Sequence, residues 1–99
     1  MNATKILDAA GLPYVQGAWK NAPKLPYIAY LMPSTTNIAA DSKVAEVVAP
    51  LRIELYTERI DKEAENKIVA ALEGYVWDKS DTIYLDGEDM YVTYYEVED

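Results

Sequence analysis

Residues 51–76 read LRIELYTERIDKEAENKIVAALEGYV, and two different periodicities meet inside them. From Leu51 to Thr57 the apolar residues alternate: Leu51, Ile53 and Leu55 fall on one side, Arg52, Glu54 and Tyr56 on the other. That period of two predicts a strand with one buried face. From Asp61 the spacing lengthens to 3.6 residues. Ala64, Ile68, Ala71, Leu72 and Tyr75 then share one stripe, widened by Val69 and Val76, which predicts a helix over roughly Asp61–Val76. A half-buried strand followed by an amphipathic helix sets the fold as a sheet with a helix packed on it.

Five carboxylates crowd the junction: Glu54, Glu58, Asp61, Glu63 and Glu65. Such a cluster can do acid–base chemistry or hold a metal, but each of these acids also has a local structural role. Glu54 and Glu58 follow the polar side of the strand. Asp61 stands where a helix N-cap is wanted, and Glu63 and Glu65 occupy the first turn, where the helix dipole favours negative charge. Glu63 precedes Lys67 by one helical turn, the favourable order for an ion pair. The cluster is read as structural.

Working outward, ATKILDAAG predicts a short first helix, with Ile6, Leu7 and Ala10 inward and Gly11 as its stop. A short strand is expected near Tyr14–Gln16, followed by a loop closed by Asn21 and Pro23. PYIAYLMP, between Pro26 and Pro33, reads as a strand apolar on both faces and therefore covered on both. STTNIAADSK is polar and turn-forming. The strand of the opening stretch is expected to start near Val44 and to be interrupted at Pro50, which has no N–H to give to a ladder. Near the C-terminus, Asp86-Gly87 separates two strand-like runs and predicts a hairpin. The last strand should set Met90, Val92 and Tyr94 against Tyr91, Thr93, Tyr95 and Val97.

The expected fold is therefore a single α+β domain over residues 1–99. It has a mostly antiparallel or mixed sheet of about four to five strands and two helices, in the order α-β-β-β-α-β-β.

Composition narrows the chemistry. The chain has no Cys and no His, so thiolate chemistry, disulfides and Ser-His-Asp arrangements are absent. The four glycines, at 11, 17, 74 and 87, form no phosphate loop. In DKSDTIYLDGEDMY, Thr82 and Tyr84 occupy positions where a calcium loop needs acids. Ser34, Thr35 and Thr36 have no evident base, so no catalytic residue, metal ligand or cofactor is expected. The net charge of −8 is concentrated late: residues 78–99 hold eight acids and only Lys79, which is ill-suited to binding phosphate. No run approaches the roughly 18–20 apolar residues of a membrane span, and no secretory signal is visible. A soluble protein of a reducing compartment is expected.

Aromatic usage is lopsided, with nine Tyr, two Trp and no Phe. Tyr suits both half-buried strands and protein contacts. Trp19 lies in a Gly/Asn/Pro loop and is expected to fold back over a helix in preference to standing out as a partner anchor.

LPYIAYLMP, then a polar stretch ending AADSKV, then LRIELYTER, an acidic helix start and the ending EDMYVTYYEVE resemble, in this order, small tailed-phage proteins. These are the tail terminator, tail completion or minor head–tail joining proteins, and the resemblance covers roughly residues 11–98. It implies a non-enzymatic structural protein of the virion, made in the host cytoplasm and assembled as a homo-oligomeric ring, commonly a hexamer. That ring would cap the tail tube and meet the head connector. From the charge alone, a lumen lined by part of residues 78–99 would let DNA pass without adhering. The resemblance also implies that Ser34–Glu46 is a hairpin or loop used between subunits. The candidate interface residues are thus Asn37, Ile38, Asp41 and Lys43, together with Trp19 and Tyr91. Two other classes compete. An acidic DNA mimic would need acids spaced along one face like phosphates, and a small enzyme or ligand-binding domain would need a pocket with convergent polar groups.

Overall fold

A computed structural model describes residues 2–32 and 50–98. Along the chain run α1 (Ala3–Ala10), β1 (Tyr14–Gln16), β2 (Tyr27–Leu31), β3 (Leu51–Thr57), α2 (Lys62–Ala71), β4 (Val76–Lys79), β5 (Ile83–Leu85) and β6 (Met90–Glu98). The expected start of the third strand at Val44 lies outside the described residues; from Leu51 the strand follows the alternation, with every odd position to Thr57 buried.

The strands form one sheet in the order β1-β2-β3-β6, with β4 and β5 sharing the far side of β6. β1 and β2 run parallel and all other pairs are antiparallel. Class and order are those expected from the sequence, and the sheet carries one further strand, β4. The central register sets Leu51 against Val97, Ile53 against Tyr95 and Leu55 against Thr93. Ile28 and Tyr30 of β2 continue the same face. Both helices cover it: Ala3, Ile6, Leu7 and Ala10 of α1 and Ala64 and Ile68 of α2 join these strand residues in one apolar core.

Local signals explain the helices. Asn2 caps α1 by accepting from the Lys5 N–H at 3.2 Å, and Gly11 ends it in the left-handed conformation at φ 77. At α2, Asp61 is the N-cap; its Oδ1 accepts from the Ala64 N–H at 3.0 Å. Replacing Asp61 by Ala is expected to remove about 1 kcal/mol of stability, read as a lower urea midpoint at unchanged slope.

α2 stops at Ala71, not at Val76. Gly74 takes φ 92, and the Tyr75 N–H donates to the Leu72 carbonyl at 2.9 Å, turning the chain out of the helix. Val76–Lys79 then joins the edge of β6 as β4. Tyr75 and Val76, placed on the apolar stripe, are consequently exposed, and Val69, still within the helix, is exposed at the stripe's margin. Leu72 stays fully buried. The expected Glu63–Lys67 ion pair is not among those formed by the described residues.

The predicted hairpin is present, with Asp86-Gly87 inside a four-residue loop between Leu85 and its partner Met90. The Glu88 and Asp89 N–H groups both donate to the Leu85 carbonyl, at 3.1 and 3.2 Å.

Candidate protein-binding surface

The other sheet face carries no helix among the described residues. The alternation in β3 that turns Leu51, Ile53 and Leu55 toward the helices turns Arg52, Glu54 and Tyr56 the opposite way. Register brings Leu31, Ala29 and Tyr27 beside them from β2, and Glu96, Tyr94 and Val92 from β6.

An aromatic row crosses one end of this face. The loop after β1 brings Trp19 back over β2, where its Nε1–H donates to the Ile28 carbonyl at 3.0 Å. Its ring meets Tyr27 edge-on at 5.7 Å, and Tyr27 meets Tyr56 at 5.4 Å. Edge-on and tilted contacts are the favoured geometries for rings with a negative face and a positive rim. The Tyr56 hydroxyl donates to Glu54 Oε1 at 2.8 Å. Burial, then that hydrogen bond to a carboxylate, push its ionisation well above the ordinary tyrosine range. Tyr27 is raised too, by burial and by the negative charge of Glu88. Both phenols are therefore hydrogen-bond donors at neutral pH, not bases.

Further along, the Arg52 guanidinium lies over the Tyr94 ring, 4.6 Å from its centroid, and Arg52 Nε stands 3.9 Å from Glu96 Oε2. A cation over a ring face is held by the ring quadrupole. Two open grooves flank these groups. One of about 290 Å³ is lined by Trp19, Tyr27, Glu54, Tyr56, Glu88 and Met90. The other, of about 230 Å³, is lined by Arg52, Asp78, Ser80, Tyr94 and Glu96. Among the described residues, no three acid side chains converge so as to hold a metal ion. What the face offers is aromatic area with a few placed donors, acceptors and one cation, the chemistry of protein contact.

No protein-family model, curated protein or solved structure matches the chain at a significant level.

The sequence-predicted interface residues separate. Trp19 is half-buried and folds back, over strand β2 and Tyr27 instead of over a helix, because its indole N–H has the Ile28 carbonyl to satisfy. Tyr91 is half-buried and packs on Tyr84 at 5.1 Å. It pairs with Thr57, so the pleat assigns it to the helix-bearing side, opposite Trp19. Asn37, Ile38, Asp41 and Lys43 lie outside the described residues.

The five acids of the opening stretch disperse. Glu54 accepts from Tyr56, Asp61 caps α2, and Glu58 and Glu63 are exposed. Glu65 lies in the first turn of α2, as expected, and is also buried, with Oε1 accepting from Lys79 Nζ at 3.0 Å. The signal was its spacing: Glu65 sits three residues before Ile68 and seven before Leu72, on the apolar stripe itself. A buried carboxylate needs a cation, and β4 supplies it.

Proposed function

We propose that this chain is a non-enzymatic assembly protein of the tailed-phage tail terminator or tail completion type. It works as a ring of identical subunits at the head–tail junction, capping the tail tube and meeting the head connector. The observation that carries the reading is the helix-free sheet face, whose half-exposed residues include Trp19, Tyr56, Arg52 and Tyr94. Trp, Tyr and Arg dominate the energetic centres of protein interfaces. The order of sequence motifs over residues 11–98 and the helix-backed sheet support the same reading. In such a ring, acids from residues 78–99 facing the lumen would repel phosphate and let DNA slide without adhering.

The test is light scattering and negative-stain imaging of the purified protein across concentrations, with and without tail-tube protein. Rings, or tubes that stop growing when the protein is added, are the expected result. A protein that stays monomeric and leaves tube growth unchanged overturns the proposal. If that monomer instead bound a DNA-processing enzyme, the acidic mimic would replace it.

A further inference from the structure

The far edge of the sheet has its own chemistry. β4 and β5 form the outermost strand beside β6, interrupted by one extra residue: Lys79 pairs with Tyr95, but Ile83 pairs with Val92. The bulge is hydrogen-bonded in place. The Ser80 N–H donates to the Tyr94 carbonyl at 2.8 Å, the Tyr94 N–H donates to Ser80 Oγ at 2.9 Å, and the Thr82 and Thr93 hydroxyls bond at 2.8 Å. Since Ser80 turns its backbone toward β6, alternation turns that of Asp78 and Val76 the same way. The backbone N–H and C=O groups of Trp77 and Lys79 therefore point out of the sheet, unpaired by any described strand.

Three apolar side chains stand exposed on this edge: Val76 at 65%, Ile83 at 47% and Tyr84 at 47%. Around them residues 75–89 carry five acids, Asp78, Asp81, Asp86, Glu88 and Asp89, against one base, Lys79. That base is committed elsewhere, its Nζ held 3.0 Å from buried Glu65. An open row of backbone donors and acceptors selects an extended strand. The acids then select the strand's charge. A second copy of this edge would bring like charges together, which is destabilising for directly opposed strand residues.

We propose that Val76–Lys79 is a strand-pairing site for an extended segment of another protein in which basic and apolar residues alternate. Trp77 and Lys79 supply the backbone bonds, Val76 and Ile83 the apolar contact, and Asp78 and Asp81 the charge selection. The site adjoins the sheet face used in the ring reading, since Asp78 also lines the groove beside Arg52 and Tyr94. The outward amides of Trp77 and Lys79 report strand pairing alone, so the two readings fail separately.

The probe is a blocked peptide of four Lys alternating with three Val, titrated into the isotope-labelled protein while amide shifts and hydrogen exchange are followed. Exchange at the Trp77 and Lys79 amides is expected to slow by about tenfold or more at saturation, as for amides newly paired in a ladder. The double variant Asp78→Lys with Asp81→Lys, both at exposed positions, should weaken binding by about tenfold or more. A matching Glu/Val peptide should not bind. Three results overturn the proposal: no edge protection, which makes the acids and bulge a guard against pairing; equal effects from a Lys/Pro peptide of the same charge, which shows charge attraction alone; or concentration-dependent self-association that Val76→Lys abolishes.

Discussion

Leu55→Ala is expected to remove about 3 kcal/mol of stability. Leu55 is fully buried in the strand that pairs with β2 on one side and β6 on the other, with Ile28 and Thr93 as its register partners. Helices cover it from one face, so several elements would have to shift together to fill the space left by three carbon atoms. Cores packed to crystal-like density relax only partly, and the residual cavity adds to the lost transfer energy. For a domain of this size that loss is a large fraction of the total, about 5–15 kcal/mol for natural proteins. Val76→Ala removes two carbons of the same chemical kind from a residue 65% exposed, and should change stability by no more than about 0.5 kcal/mol. Urea denaturation of both variants checks the pair. A Leu55→Ala loss below about 1 kcal/mol would mean that β3 is not the centre of the core. A Val76→Ala loss comparable to that of Leu55→Ala would mean that the β4 edge is covered in the folded chain.

The sequence announces an element when one local signal decides it, and fails where two signals share a phase. Strand β3 was legible because seven alternating residues allow only one buried face. Helix α1 was legible because Ile6, Leu7 and Ala10 give it an apolar side and Gly11 marks its end. β4 was hidden because Tyr75 and Val76 continue the helical stripe of Ile68 and Leu72, and only Gly74 interrupts it. The burial of Glu65 was hidden for a related reason: a first-turn acid satisfies the helix dipole whether it faces water or a lysine on a distant strand. Trp19 folds back as expected, but its cover could not be read locally, since the Ile28 carbonyl lies nine residues on. The aromatic row of Trp19, Tyr27 and Tyr56 joins a loop and two strands. It exists only once the β2–β3 register is set.

The second large effect lies in alkali. Tyr95 is fully buried against Trp77, with ring centroids 5.9 Å apart, and its hydroxyl has no hydrogen-bond partner among the described residues. Burial first, and then the negative charge of Glu65, push its ionisation far above the ordinary value of 10.0. Below pH 10 the phenol is protonated in both folded and unfolded chains, so it contributes no pH dependence. Above pH 10 the unfolded chain releases this proton while the folded chain keeps it, so the folded state binds more protons and stability falls as pH rises. The slope is about 1.4 kcal/mol per pH unit for one such group. Tyr56 acts in the same direction, more weakly because it is half-exposed and better solvated. Tyr95→Phe isolates the effect. Between pH 10 and 11 its loss of stability should be shallower than the parent's by up to about 1.4 kcal/mol. At pH 7 the variant should be more stable by about 1 kcal/mol, since an unpaired buried hydroxyl costs free energy that a phenyl ring does not. Urea unfolding of both proteins at pH 7, 10 and 11 measures all three differences. Equal alkaline slopes would show that Tyr95 ionises freely in the folded chain. A Phe variant weaker than the parent at pH 7 would show that the hydroxyl is hydrogen-bonded where the geometry leaves it unpaired.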